Sequence, residues 1–381
     1  MIKTVLIGGR GVLGRNLAAH LGQRNDCDTT ILDQEDSLAD LEGPLSAADV
    51  VFHLAGVYRS KDLKDFERWN AGFTRKICEL LRQAGRAPKI VFESSIQADL
   101  DNPYGISKLA AETALRAFAV ATGAPVRIYR LKGLFGKWCP PNHNSVTATF
   151  CYNIANDLPI VVSSPANEVE LNYVDDVMAA FLAELKGTDV PEVPAVRIRL
   201  DDLAGRIQAF HEMPVTLTAP DFADSFNRAL YATYSSYVPP AARRHNLTIS
   251  ADVRGSLAEF IKSPHFGQVF VSRTRPGVTR GNHYHHTKTE KFFVVEGAGV
   301  IRMRAIDGKD VHEYAVKGRE YQVIDIPPGF THSITNSGEG EMVTLFWASE
   351  IFDPNRPDTY YLPVDEAPAE LGTAANQGLR Y

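Results

Sequence analysis

The chain has 381 residues, a formal net charge of −6 and 44% hydrophobic residues. That length exceeds one modest core, so two domains are expected. The acidic balance leaves no basic footprint for nucleic acid, no apolar run is long enough for a membrane span, and no leader pattern precedes the first strand-like run; a soluble cytoplasmic protein whose four cysteines are mostly buried free thiols is expected.

In chain order, KTVLIGG reads as a strand, and RGVLGRNLAAHLGQR opens as a glycine turn that continues into a helix. TTILD, DVVFHLAG and KIVFESS read as further strands, with FERWNAGFTRKICELLRQAG and SKLAAETALRAFAVATG as helices between them. This alternation predicts a doubly wound, Rossmann-type α/β parallel sheet. Gly8, Gly11 and Gly14 sit between the first strand and its helix. There they allow a tight turn, a close backbone approach to a pyrophosphate, and close helix–strand packing.

Tyr104 and Lys108, four apart in YGISK, share one helix face. An ammonium beside a phenol lowers the phenol's pKa, and such a tyrosine passes a proton to or from a sugar oxygen while hydride moves at the same carbon. Ser95, at a strand end, is placed to hydrogen-bond that oxygen, with Ser94 as its rival. Two cofactor cues conflict. Asp33 ends the second strand, where an acid bonds the ribose of NAD(H). Arg10 lies in the glycine loop, where a guanidinium clamps the 2′-phosphate of NADP(H). NADP(H) is the expectation and NAD(H) the alternative. Further on, Arg130 and Lys132 in RLKGLFGKW are candidates for the substrate's diphosphate. Asn172 and Tyr173 precede Asp175, which reads as a helix cap over the site.

GGRGVLG, HLAG, FESS, YGISK and NYVDDV together resemble the extended short-chain dehydrogenase/reductase family, which acts on nucleotide sugars, over about residues 1–240. The resemblance implies a nicotinamide cofactor held by Gly8, Arg10, Gly11, Val12, Leu13, Gly14, Asp33, Leu54, Ala55 and Gly56, together with Tyr104 and Lys108. It implies Ser95, Tyr104 and Lys108 as the catalytic set, and Arg130, Lys132 and Asn172 on the substrate. The interval from Ser95 to Tyr104 is shorter than in most extended members.

SSYVPPAARRHN, residues 235–246, interrupts this pattern with paired prolines and reads as a linker. Beyond it, QVFVSRT, KFFVVEG, GVIRMRAI, YQVIDIP and MVTLFWAS are short strands bounded by turn residues, an all-β grammar. In GNHYHHTKTEKFFVVEG, strand alternation points His283 and His285 to one side, and Tyr284 and His286 to the other. Glu290 opens the next strand, and His332 follows a Pro-Gly turn in IPPGFTH. Three imidazoles and a carboxylate bind a transition metal. One divalent ion is expected, zinc first, with iron and manganese accepted by the same set. HxH, a glutamate, then a distant histidine after PPG resembles the two cupin motifs, so residues 246–365 are expected to form an all-β cupin (jelly-roll) barrel. Residues 366–381 read as a loose tail.

Both halves in one chain, with NPYGISK, GKWCPPNHNSVTATFCYNIA, LNYVDDV and FDPNRPDTYYL, resemble the CapF family of bifunctional capsular polysaccharide synthesis enzymes. That resemblance implies a UDP-2-acetamido-2,6-dideoxy-4-hexulose substrate. Its carbon 3 would be inverted in the cupin domain and its 4-keto group reduced with NADPH in the Rossmann domain, within a homodimer. The epimerase base stays open among Tyr284, His286, Lys291 and metal-bound hydroxide. Three alternatives remain: a nucleotide-sugar 4-epimerase with tightly held NAD, a cupin that serves only as a noncatalytic dimerisation or ligand-sensing module, and an iron-dependent cupin oxygenase that would need dioxygen.

Overall fold

The computed structural model describes residues 1–33, 36–162, 164–187 and 190–366. The chain divides into two compact units, Met1–Gln208 with Ser225–Pro239, and Ala209–Asp224 with Pro240–Tyr381. The division at Pro239 falls inside the stretch expected as a linker, but the segment Ala209–Asp224 clusters with the second unit. Apart from residue 366, the expected tail lies outside the described residues.

The first unit opens with β1 (Ile2–Ile7), α1 (Val12–Leu21), β2 (Cys27–Leu32), α2 (Leu38–Ala47) and β3 (Val50–His53). Next come α3 (Lys64–Phe66), a π-helical turn (Glu67–Gly72) and α4 (Phe73–Gln83), followed by β4 (Lys89–Ser95), α5 (Pro103–Thr122) and β5 (Val126–Leu131). The strands form one parallel sheet in the order β2-β1-β3-β4-β5. Because successive side chains of a strand face opposite ways, an unbroken apolar run buries both faces. Val5, Ile7, Val51 and Phe92 pack on one face with Leu45, Ile77, Leu115 and Phe118. Leu6, Phe52 and Val91 pack on the other with Leu13, Leu17, Val177 and Phe181.

Strand order reverses between β1 and β3. The loops after these two strands therefore flank a crevice at their carboxyl ends, where open α/β sheets bind ligands. The unit continues with β6 (Gly133–Phe135), α6 (Val146–Ala155), β7 (Glu168–Tyr173), α7 (Val174–Lys186) and β8 (Val196–Arg199). A small sheet, β6-β7-β8, forms here. Helix α8 (Leu200–Thr216) runs on into the second unit, and α9 (Ser225–Tyr237) extends into the expected linker.

The second unit is built from two sheets. The strands are β9 (Ile249–Asp252), β10 (Gly255–Ser263), β11 (Gly267–Thr274), β12 (Thr279–Tyr284), β13 (Glu290–Glu296), β14 (Ala298–Ala305), β15 (Val311–Lys317), β16 (Val323–Ile326), β17 (Phe330–Asn336), β18 (Met342–Ala348) and β19 (Tyr360–Tyr361). One sheet runs β16-β13-β18-β11-β10-β9 and the other β15-β14-β17-β12-β19, with antiparallel pairing throughout. Phe292, Val294 and Phe346 of the first sheet meet Ile301, Met303 and Ile334 of the second in one core. Face-to-face sheets of this kind make the expected jelly-roll.

Candidate active sites

In the first unit the glycine loop is a cradle that side chains would fill. Gly8 has φ +93°, and a Cβ there would lie 2.7 Å from the backbone N of Ala55; a Cβ on Gly14 would lie 2.0 Å from the carbonyl O of Gly8. Gly11 is the N-cap of α1 and offers no side-chain cap, so the helix's first N–H groups, from Val12 and Leu13 on, stay open to an anion. Leu54 extends β3 by donating its N–H to the carbonyl O of Ile7 at 2.9 Å. Asp33 follows β2, and its carboxylate accepts from the backbone N–H of Arg10 at 2.5 Å. The backbone N–H of Arg10 thus holds Asp33 against the loop, and the Arg10 residue itself is exposed.

This cradle opens onto a cleft of about 330 Å³ whose wall includes Leu54, Gly56, Ser95, Tyr104, Lys108 and Lys132. Asn102 caps α5 by accepting the N–H of Gly105 at 2.8 Å, with Pro103 in the first turn, so Tyr104 and Lys108 stand on successive turns. Lys108 is buried; its Nζ donates to the carbonyl O of Glu93 at 2.7 Å and lies 6.0 Å from the Tyr104 ring centre. Ser95 hydrogen-bonds the Tyr104 phenol and accepts the N–H of Gln97 at 3.2 Å. Ser94 points the other way, donating to Glu112 at 2.6 Å.

The phenol's pKa departs from expectation. Burial, reinforced by Glu93, pushes Tyr104 well above the ordinary tyrosine range, against the hydrogen bond from Ser95. Desolvation and a carboxylate set the direction, and burial lowers the pKa of Lys108 itself. The phenol is therefore held in its protonated form.

Arg130 lies off the cleft wall. It donates twice to Glu112, at 2.8 Å each, and to Asp99 at 2.6 Å. Burial alone would raise the Glu112 pKa, but bonds from Arg130, Ser94 and Arg116 hold it below the usual range. The cluster therefore anchors β4 and β5 to the helix carrying Tyr104, and a diphosphate would reach Arg130 only by opening it. Lys132 lies on the wall, with Nζ 2.8 Å from Glu170. Asn172 is buried; it accepts the N–H of Lys132 at 2.7 Å and donates to Pro194 at 2.8 Å, so it shapes the wall through the backbone. Tyr173 is the N-cap of α7, and Asp175 in its first turn pairs with Lys137.

Two residues here were not singled out from the sequence. Asn70, on the π turn, is buried and holds Val57 through both its side-chain atoms, and donates to Ser107 at 2.9 Å. It pins the loop after β3 to α5; π turns recur at functional sites. Glu93 lies on the cleft wall beside Tyr104 and Lys108.

In the second unit, His283, His285, Glu290 and His332 converge, with ligand-capable atoms all within 4.8 Å of one another. Strand register does this. His283 on β12 pairs with His332 on β17, after a bulge at Asn282, which has φ +59°. Glu290 begins β13. The Nε2 atoms of His285 and His332 lie 3.2 and 3.1 Å from Oε2 of Glu290. All three atoms are buried without a hydrogen-bond partner. Buried polar atoms aimed at one point and left unsatisfied fit a bound cation. Burial, with His332 alongside, pushes His283 down to about 3, leaving a neutral imidazole.

The outer nitrogens are fixed as metal-binding histidines require. Nδ1 of His332 faces the carbonyl O of Phe330 at 3.1 Å, and Nδ1 of His285 the carbonyl O of Asp358 at 2.5 Å. The Asp358 carboxylate accepts the N–H groups of His286, Thr287 and Lys288 at 2.9, 3.0 and 3.0 Å. These bonds hold the carboxyl down to about 2 although burial opposes them.

A cavity of about 290 Å³ reaches His285 and Glu290, with Lys288, Gln268, Phe270 and Phe352 on its wall. Tyr284, His286 and Lys291 are not among its lining residues. Tyr284 stacks on Tyr360, His286 meets the same ring, and Lys291 pairs with Asp325, because alternate strand positions point outward. Lys288, buried and donating to Pro357 at 3.0 Å, is one of two lysines on the wall; the other, Lys262, has its Nζ 3.3 Å from Glu259.

Comparison with known proteins agrees with both halves. Residues 4–195 match the NAD dependent epimerase/dehydratase family, and residues 250–360 match the polysaccharide biosynthesis C-terminal domain. The crystal structure of the capsular polysaccharide assembling protein CapF from Staphylococcus aureus is similar with a TM-score of 0.88 and 42% identity, over 95% of this chain and 100% of that one. A UDP-2-acetamido-2,6-beta-L-arabino-hexul-4-ose reductase from Pseudomonas aeruginosa is 38% identical, over 96% of this chain and 100% of the relative. A UDP-glucuronic acid 4-epimerase from Bacillus cereus, 16% identical with a TM-score of 0.52 over 61% of this chain and 98% of that one, shares the fold. With near-complete overlap at this identity and both domains in the same order, the chain belongs to the CapF family of polysaccharide synthesis proteins, an NAD dependent epimerase/dehydratase domain joined to a polysaccharide biosynthesis C-terminal domain.

Proposed function

We propose that the chain carries out two steps on a UDP-2-acetamido-2,6-dideoxy-4-hexulose: inversion at carbon 3 in the second unit, and NADPH-dependent reduction of the 4-keto group in the first. The product is a UDP-N-acetyl-6-deoxy-talosamine-type precursor of N-acetyl-L-fucosamine for capsule or O-antigen. The carrying observation is Tyr104 with Ser95 and Lys108 on a cleft that opens from the glycine cradle. The printed name of the Pseudomonas relative, a 4-ketosugar reductase, supports the same chemistry.

In the first unit a nicotinamide dinucleotide, held by the glycine cradle, would supply hydride for carbon 4. Ser95 orients the ketone oxygen, Tyr104 donates its proton there, and Lys108 steadies the phenolate left behind. Gly8, Gly11 and Gly14 admit the dinucleotide diphosphate to the start of α1, and exposed Arg10 is the group for a 2′-phosphate. Lys132 faces the substrate side. In the second unit, His283, His285, Glu290 and His332 would hold one divalent ion, zinc by ligand type, and its Lewis acidity would polarise the ketone oxygen and acidify the proton on carbon 3. Lys288 brings a positive charge to the cavity where that enolate would develop. Reduction removes the ketone that makes carbon 3 labile, which is the chemical reason to keep both steps in one chain.

A cytoplasmic homodimer belongs to this reading. Strand β9 supports the dimer: all four of its residues are exposed, and among the described strands it pairs with β10 alone. Among the described residues no helix is long and apolar enough to cross a membrane.

The test is NADPH oxidation by the full-length chain on the UDP-4-ketosugar. One NADPH consumed per sugar is expected; turnover without net consumption would favour a 4-epimerase instead. A second expected outcome concerns Asp358. Its replacement by alanine frees the loop that orients His285, and should weaken zinc affinity about 10–100-fold in a chelator competition.

A further inference from the structure

Glu93 is a carboxylate on the reductase cleft that neither hydride nor proton transfer uses. It lies on β4, two residues before Ser95, so the two share a strand face while Ser94 between them turns to Glu112. Ser95 faces Tyr104, and the Glu93 carbonyl is 2.7 Å from the Lys108 ammonium. Glu93, Ser95, Tyr104 and Lys108 all reach the wall of the same cleft.

The other charged groups around Tyr104 do not play this part. Lys108, on its own helix, bonds the backbone of β4. Glu112 behind it is engaged by Arg130 and Arg116. His53 on β3 is pushed to about 3 by burial and is uncharged. Lys132 and His143, elsewhere on the wall, are bases. Glu93 is left as the acid on the phenol's own stretch of cleft wall; burial raises its carboxyl pKa and the Lys108 ammonium opposes that rise, favouring the charged form.

We propose that Glu93 is a positioning residue that keeps Tyr104 in its proton-donating phenol form, and so sets this cleft for ketone reduction rather than alcohol oxidation. The idea rests on the reductase reading. Reduction forms a C–H bond at carbon 4 with hydride from the dinucleotide, which leaves as the oxidised form. It forms an O–H bond on the sugar as the O–H bond of Tyr104 breaks, and the phenolate then regains a proton from water. A tyrosine already ionised cannot begin this step but can begin its reverse. Burial is the larger penalty on phenolate, and the Glu93 carboxylate on the same wall adds to it.

The test measures kcat/KM for NADPH-driven ketosugar reduction across about pH 7 to about pH 12 in the full-length chain, its Glu93→Gln form and its Glu93→Asp form. The alkaline limb is expected to fall by about one pH unit in Glu93→Gln and to stay in place in Glu93→Asp; oxidation of the product by NADP+ should rise about tenfold near neutral pH in Glu93→Gln alone. An alkaline limb in Glu93→Gln that matches the parent overturns the proposal. Tyrosinate absorbance provides an independent readout: the pH-dependent difference between the parent and Tyr104→Phe should appear above the ordinary range, near pH 10, and earlier when both chains also carry Glu93→Gln. Coincident titrations overturn the proposal. If the parent oxidises no NADPH on the ketosugar, the reductase reading fails, and the absorbance comparison still decides the role of Glu93.

Discussion

Replacing Tyr104 by phenylalanine is expected to slow ketosugar reduction about 10²–10⁴-fold while leaving dinucleotide affinity near that of the parent chain. The change removes one hydroxyl. The ring keeps its edge contact with Phe66, 6.2 Å between centres, and α5 keeps its Asn102 cap and its anchor through Glu112 and Arg130. The loss is therefore chemical: no proton donor remains beside Ser95, and alkoxide would have to form unprotonated in a buried cleft. Stopped-flow reduction under saturating NADPH separates this from a binding defect. Turnover within a factor of about three of the parent would mean that another group donates the proton.

Replacing His332 by alanine should remove the metal and, with it, exchange at carbon 3. The residue is fully buried between two strands, and its Nε2 is one of the atoms left unsatisfied beside Glu290. Losing it leaves three ligands around an opened space. Zinc content by atomic emission should fall below about one tenth of an equivalent at nanomolar free zinc. A ligand that binds only the folded state at 100 times its Kd adds about 2.7 kcal/mol. The parent should therefore lose several degrees of Tm on chelation, and His332→Ala should show no further response to chelator. NADPH consumption on ketosugar already inverted at carbon 3 should persist, because the reductase cleft lies in the other unit. Full carbon 3 exchange in metal-free His332→Ala would make the four-residue cluster structural.

What the sequence made legible was local. The glycine loop follows a strand directly, so its backbone demand is written in three residues. HxH and Glu290 lie within eight residues of one another; alternation along β12 separates His283 from Tyr284, and the short turn to β13 brings Glu290 over from the facing sheet. Ser95 and Tyr104 are joined by a short 3₁₀ turn, Ile96–Asp99, which accounts for the brief interval between them.

Long-range partners were not legible. Arg130 looked like a free cation because Glu112, its partner, is 18 residues away on α5. Asp358 orients His285 from 73 residues downstream. Lys291 looked like a barrel-lining base, yet strand β13 starts at Glu290 and turns its next residue outward, while Lys288 in the preceding turn reaches the cavity. The phenol's pKa direction was misjudged because pairing with lysine is visible in YGISK, whereas burial is not.

Incubating the full-length chain with the UDP-4-ketosugar and NADPH in deuterated water, then reading the product by mass spectrometry and NMR, puts both steps on one molecule. One solvent deuterium at carbon 3, none at carbon 4, and one NADPH consumed per sugar is the expected result. A reduced product carrying only protium at carbon 3 would contradict the epimerising role of the second unit, and recovery of unreduced sugar would contradict the role of the first.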